Sequence, residues 1–229
     1  MHKPAGVATH SRKRKGSTGK AGRPTKPLIT RRAAAQKALE LIDRDGLKGL
    51  SLGALAKEMN VRAPSLYHHF RDKDELLAQV ARALLEEIDQ EQDEWSDDWE
   101  TRTIELSLAT RRVAMRHPNA ATLSLRFFPR QLMLPAYEHT LSDCPYPAEA
   151  HAVLLEVVEK FTYGSSLFAA AAEAYHTPAM PPVDLDHFPK LARALETGPS
   201  NDEELYREAL TVVLAGLRSL YGAKKGGAA

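Results

Sequence analysis

From Pro27 onward apolar residues recur at three- and four-residue spacing, and no segment sustains the alternation a half-buried strand requires, so the pattern predicts an all-α fold. The first helix begins at Thr30, a good N-cap, carries Ala34, Ala38, Leu41 and Ile42 on one face, and ends at Gly46. Ser51 caps a short second helix with Leu52, Leu55, Ala56 and Met59 inward. Asn60 and Val61 form a tight turn into a third helix over 63–70, which presents Leu66 and Phe70 to the core. A fourth helix follows Asp72, with Leu76, Leu77, Val80, Leu84, Leu85 and Ile88 along one stripe, and connects two domains. Further helices are expected over 99–116, 118–125, 129–141, 147–175, 187–195 and 202–221, several of them opened by a proline. Residues 176–186, with three prolines, read as a loop. The expected division is a disordered basic arm over 1–27, a compact helical domain over 28–75, a larger helical domain over 76–221, and a disordered tail over 222–229.

Charge changes the picture at one end only. The chain of 229 residues carries a net +1, yet ten of its 31 Lys/Arg and none of its 30 Asp/Glu fall in residues 1–32. Such an arm buries too little apolar surface to order itself, but its cations can neutralise phosphates. We read it as a DNA-binding arm; a solubilising tail is the plainer reading of the same charges. Cys144 is the single cysteine, so no intrachain disulfide is possible and a cytoplasmic location is expected. No run reaches the roughly 18 apolar residues of a membrane span.

The chemistry lies between Ser51 and Phe70. Small Ala56 stands where two crossing helices must approach and Val61 lies under the turn, which suits a helix-turn-helix. Arg62, Ser65, Tyr67 and His68 then project outward, and Pro64 occupies a first turn where its missing N–H costs nothing. An ordinary helical hairpin can carry the same pattern. The surrounding block separates the two readings.

The marks from Ala33 to Leu77 are the helix Ala38-Leu39-Glu40-Leu41-Ile42 ending at Gly46, the Leu50-Ser51 entry, the Leu55-Ala56 to Val61 spacing, the segment Ser65-Leu66-Tyr67-His68-His69-Phe70, and Lys73-Asp74-Glu75-Leu76-Leu77. This block resembles the DNA-binding domain of the tetracycline-repressor (TetR) family of bacterial regulators. The remainder resembles a regulatory domain of the tetracycline-repressor type at Trp95 to Trp99, Arg116-His117-Pro118, Phe161-Thr162-Tyr163-Gly164 and Leu214-Ala215-Gly216-Leu217. The resemblance implies DNA contacts at Ser51, Arg62, Ala63, Pro64, Ser65, Tyr67, His68, His69 and Lys73. Arg62 suits a bidentate pair with guanine, Ala63 and Pro64 suit thymine methyls, and Ser51, Tyr67 and Lys73 suit phosphates. Gly53 stands where relatives often carry a base-contacting side chain; Arg23, between Gly22 and Pro24, resembles a minor-groove hook.

The resemblance further implies a homodimer paired through the helices over 147–175 and 202–221, with Gly164 and Gly216 permitting close approach. For an apolar or aromatic effector, Trp99, His117, Phe127, Gln131, Tyr137, Phe161 and Phe168 are the candidate contacts. Ser124 and Phe127 stand where tetracycline-binding relatives present metal and drug ligands, so tetracycline itself is not the expected effector. The chain shows no metal-binding His or Cys spacing, no phosphate loop and no nucleophile elbow, so neither catalysis nor a cofactor is expected. The expectation is a ligand-responsive repressor on a palindromic operator. The alternative is a constitutive architectural DNA binder, against which stand some 150 residues of helical sequence beyond the DNA module.

Overall fold

A computed structural model describes residues 29–92, 94–123, 127, 130–176, 180–199 and 201–222. Every regular element among them is helical. The arm over 1–27, with Arg23, and residues 223–229 of the tail lie outside the described residues, as does the side chain of Gln131.

Helix α1 (Arg31–Gly49) starts where Thr30 Oγ1 accepts the Ala33 N–H at 3.1 Å. Its regular course breaks at Gly46, whose φ of +71° is open to glycine at little cost, and one further turn leads to Gly49. Helix α2 (Leu52–Glu58) is capped by Ser51 Oγ, which accepts from the Ala54 N–H at 3.0 Å. Asn60 takes the left-handed conformation in the turn (φ +52°), and α3 (Ala63–Tyr67) follows. This helix is three residues shorter than expected, although Phe70 beyond it is fully buried. Helix α4 (Lys73–Asp89) is capped by Asp72, which accepts from the Glu75 N–H at 2.8 Å.

Helix α5 (Trp99–Arg116) passes directly into α6 (Pro118–Ala121), and α7 (Arg130–Ser142) carries Pro135 in its interior. Helix α8 (Ala148–Ala174) is the longest element. Helix α9 (Pro189–Thr197) starts with its proline in the first turn, two residues later than expected. Helix α10 (Asp202–Tyr221) is capped by Asn201, whose Oδ1 accepts from the Glu204 N–H at 2.9 Å. The expected helix over 118–125 is a single regular turn in α6 with Leu123 helical again; residues 124 and 125 lie outside the described residues.

Two cores organise these helices. The first joins α1 to α4 around Ile42, Leu55, Leu66, Phe70 and Leu76, and it continues into Ala109 and Val113 of α5 and Ala120 of α6. The second joins α5, α8 and α10 around Leu108, Leu154, Tyr206, Leu210 and Leu214. No described helix is long and apolar enough to cross a membrane.

Candidate nucleic-acid interface and effector cavity

The crossing of α2 and α3 depends on Ala56, buried with no bulk to hold the helices apart, and on the Val61 N–H, which donates to the Ala56 carbonyl at 2.9 Å. Leu66 and Phe70 face inward and are fully buried. Their burial turns Arg62, Pro64, Tyr67 and His68 to the opposite, exposed side, with Ala63, Ser65 and His69 half-buried along its margin. Tyr67 is 58% exposed, an unusual place for a phenol that has no packing role. The face has the length and polar composition of a helix that enters a major groove.

Two flanking groups have structural duties as well. Ser51 Oγ accepts from the backbone as a cap, and its own O–H is free in geometry to donate outward. Lys73 Nζ donates to the Leu47 carbonyl at 3.0 Å, so it ties the start of α4 to the end of α1 and retains two further N–H groups. Arg31, not singled out from the sequence, lies over the Phe70 ring at 5.1 Å from its centroid and pairs with Glu75. It braces α3 and α4 from behind.

A cavity of about 870 Å³ opens among α4, α5, α7 and α8, within the range that holds a drug-sized molecule. Leu85, Trp95, Leu106, Met133, Leu155 and Val158 make its walls apolar. Thr103, Ser107 and Thr110 place three hydroxyls along one face of α5. Tyr137 donates to Glu159 at the cavity margin, and burial pushes the Tyr163 phenol well above its ordinary range, so that it stays neutral.

Of the side chains the sequence nominated for this role, the structure brings Tyr137 to the cavity. Trp99 instead lies in the second core, where its indole N–H donates to the Thr140 carbonyl at 2.7 Å and its ring meets Tyr146 edge-on. Phe161 stacks on Tyr206 with centroids 5.3 Å apart. Phe127 packs against the first core, and Phe168 is 83% exposed on α8. His117 lies at the junction of α5 and α6, facing Asp43 of α1 at 2.7 Å and Glu87 of α4 at 3.0 Å. Aromatic character is shared by core, cavity and surface, which is why it misdirects here. The better signal was the run of small hydroxyl residues at 103, 107 and 110, one face of a helix that leaves room beside it. No group of three His, Cys, Asp or Glu suited to a metal occurs among the described residues.

These features agree with comparisons to known proteins. A family model for bacterial regulatory proteins of the tetR family matches residues 36–80, and one for a tetracyclin repressor-like C-terminal domain matches residues 92–221. An HTH-type transcriptional regulator of Saccharopolyspora erythraea is 37% identical over 100 residues, covering 44% of this chain and 42% of that protein. The chain thus spans less than half the length of that relative. The class D tetracycline repressor of Escherichia coli is 26% identical over 182 residues, 77% of this chain and 83% of the repressor. Among solved structures, a possible TetR family transcriptional regulator from Streptomyces coelicolor superposes with a TM-score of 0.66 at 26% identity, over 83% of this chain and all of that one. One model matches the helix-turn-helix and the other the helices α5 to α10, three of which enclose the cavity together with α4, and the two span most of the described chain: it belongs to the tetR family of bacterial regulatory proteins.

Proposed function

We propose that the chain is a transcriptional repressor that binds a palindromic operator as a homodimer and releases it when a small apolar or aromatic effector fills the cavity. One observation carries the reading: α4 belongs to both sites. Its first half, through Leu76, Leu77 and Val80, is built into the core beneath α3, while Leu85 and Ile88 line the cavity. An effector that biases the tilt of α4 therefore moves the recognition helices, whose spacing must match the roughly 34–36 Å of successive major-groove faces.

The remaining roles follow from this. Arg62, Ala63, Pro64, Ser65, Tyr67, His68 and His69 are the groove-facing set, with Ser51 and Lys73 on phosphates and Arg23 in the minor groove. The dimer is supported by α8 and α10, which leave Val153, Phe168, Leu205, Val212 and Leu220 exposed on their outer sides. Selection of duplexes from a random pool by the full chain tests the operator. A palindromic consensus is expected; recovery of unrelated sequences would remove the sequence-specific reading. A small-molecule screen read by melting temperature tests the cavity, since a ligand at 100 times its Kd adds about 2.7 kcal/mol to stability. A hit should also displace the selected duplex.

A further inference from the structure

We propose that His117 is a proton-dependent latch which, when charged, clamps the helix-turn-helix to the effector-binding helices and so keeps it competent for DNA. The inference concerns regulation of the site proposed above and rests on that reading.

The geometry asks for an imidazolium. His117 Nδ1 is 2.7 Å from Asp43 Oδ2 on α1, and Nε2 is 3.0 Å from Glu87 Oε2 on α4. Both partners are carboxylates, which only accept, so both ring nitrogens must donate; a neutral imidazole has one N–H and could satisfy only one of the two carboxylates. Asp43 adds to the demand, because its Oδ1 is buried and accepts no hydrogen bond among the described residues. An ionised carboxylate in that position needs a cation beside it.

Every element packed here contributes to the charge balance. Asn119 of α6 donates to the Asp43 carbonyl at 3.0 Å, and Arg116 at the end of α5 pairs with Glu91 and lies 4.0 Å from Glu87. Asp43, Glu87 and Glu91 thus face Arg116 and His117, three carboxylates against two cations, and the excess negative charge grows by one once the imidazole is neutral. The hydrogen bond to Asp43 raises the ionisation of His117 above its ordinary value, partial burial opposes the rise, and Glu87 reinforces it. A group whose ionisation is raised in the folded state contributes stability below about pH 6.5, its unfolded value, and loses it as pH rises through the folded one.

The latch also borders the effector site. A small apolar cavity of about 40 Å³ beside His117 is lined in part by Leu85, Ile88, Thr110 and Tyr163, all four of which line the large cavity too. Opening the latch removes one polar tie between α1 and the start of α6 and one between α4 and the end of α5, and leaves the Asn119 and Arg116 contacts and the apolar packing to hold them. A helix-turn-helix that spends part of its time in an arrangement other than the operator-fitting one is less well organised for two half-sites, and binds them more weakly.

The test uses the full chain and a duplex selected from the random pool. His117 ring protons, assigned by their loss in His117→Gln, are titrated by NMR, and duplex affinity is measured from pH 6 to 9 at fixed salt for wild type, His117→Gln and Glu87→Gln. His117 should titrate above about 6.5 in wild type and move down toward it in Glu87→Gln. Wild-type affinity should fall with pH, by at most about tenfold per unit for one linked proton. The slope should be shallower in His117→Gln. Titration of His117 at or below the ordinary value, or equal slopes in wild type and His117→Gln, would overturn the latch. If no duplex binds at any pH, the operator reading fails on its own; the ring titration and the pH dependence of melting, wild type against both variants, then decide the latch.

Discussion

Leu66→Ala separates the stability of the recognition helix from that of the chain as a whole. Leu66 is fully buried under α3, in the core that also holds Leu55, Phe70 and Leu76. The substitution removes three carbons, about 2.4 kcal/mol at about 0.8 kcal/mol per buried methylene. Incomplete collapse of the space left behind raises the expected cost to about 3–5 kcal/mol. For a chain of this size that corresponds to a fall in melting temperature of roughly 6–20 °C. Leu210→Ala makes the same change at a fully buried position of the second core, on α10, and is expected to cost a similar amount.

The two variants should differ in DNA binding. Helix α3 has five residues, far fewer than the roughly 12–15 an isolated helix needs, so its shape depends on the side chains that anchor it. Without Leu66 the exposed Arg62, Tyr67 and His68 lose their fixed relation to one another, and operator affinity should fall even at temperatures where the variant remains folded by circular dichroism. Leu210→Ala should bind with near wild-type affinity under the same conditions. Equal losses of affinity in both would show that α3 has no special dependence on its anchor. A melting temperature unchanged by Leu66→Ala would refute the packing argument itself.

Arg62→Ala should weaken the preferred duplex by about 1–3 kcal/mol and relax selectivity at one base pair, whereas a uniform loss across operator variants would remove its base-reading role. Lys73→Ala should weaken all duplexes alike, and, because it also removes the hydrogen bond to the Leu47 carbonyl, should lower stability by about 1 kcal/mol; an unchanged melting temperature would refute that second role. Gly216→Leu should leave the protomer folded, since a Cβ there meets nothing within 4 Å, yet break the dimer in sedimentation. An intact variant dimer would remove Gly216 from the interface, and a monomeric wild type would refute the dimer. Deletion of residues 1–26 should flatten the salt dependence of duplex binding, by about 0.9 in log–log slope for each phosphate the arm no longer neutralises, with a larger loss on A·T-flanked operators; equal slopes would make the arm a passive tail.

Local rules made the helices legible. Helices α5 and α10 begin and end where their apolar patterns do, because Asp98 and Asn201 accept from backbone N–H groups at their starts and glycine or proline closes the run. The helix-turn-helix was legible because its packing constraints, Ala56 at the crossing and Val61 under the turn, lie within a few residues of each other. The cavity was not. Its walls come from four helices separated in the chain, and whether Phe161 faces Tyr206 or a ligand is decided by the partner helix rather than by any property of Phe161. His117 was nominated as an effector contact for its polarity beside aromatic residues; the feature that places it, a carboxylate on each of two other helices, becomes visible only once α1 and α4 are packed.

That packing bears on how a signal could travel. If residues 28–75 formed a unit joined to the rest by α4 alone, the first core would stop at α4, and a shift of α4 would leave α1 to α3 free to reorient independently. Instead Ala109, Val113 and Ala120 belong to the same buried cluster as Ile42 and Leu66. The contact between the two halves is therefore broad, with α1 resting on α6 as well as on α4, and small displacements of α4 cannot be absorbed by slack at a hinge. Close-packed interiors respond to such displacements by moving between discrete arrangements rather than by bending continuously. A polar contact at the edge of that interface, breakable by the loss of one proton without disturbing the apolar packing beneath, is well placed to bias the choice between arrangements, and His117 between Asp43 and Glu87 occupies that edge.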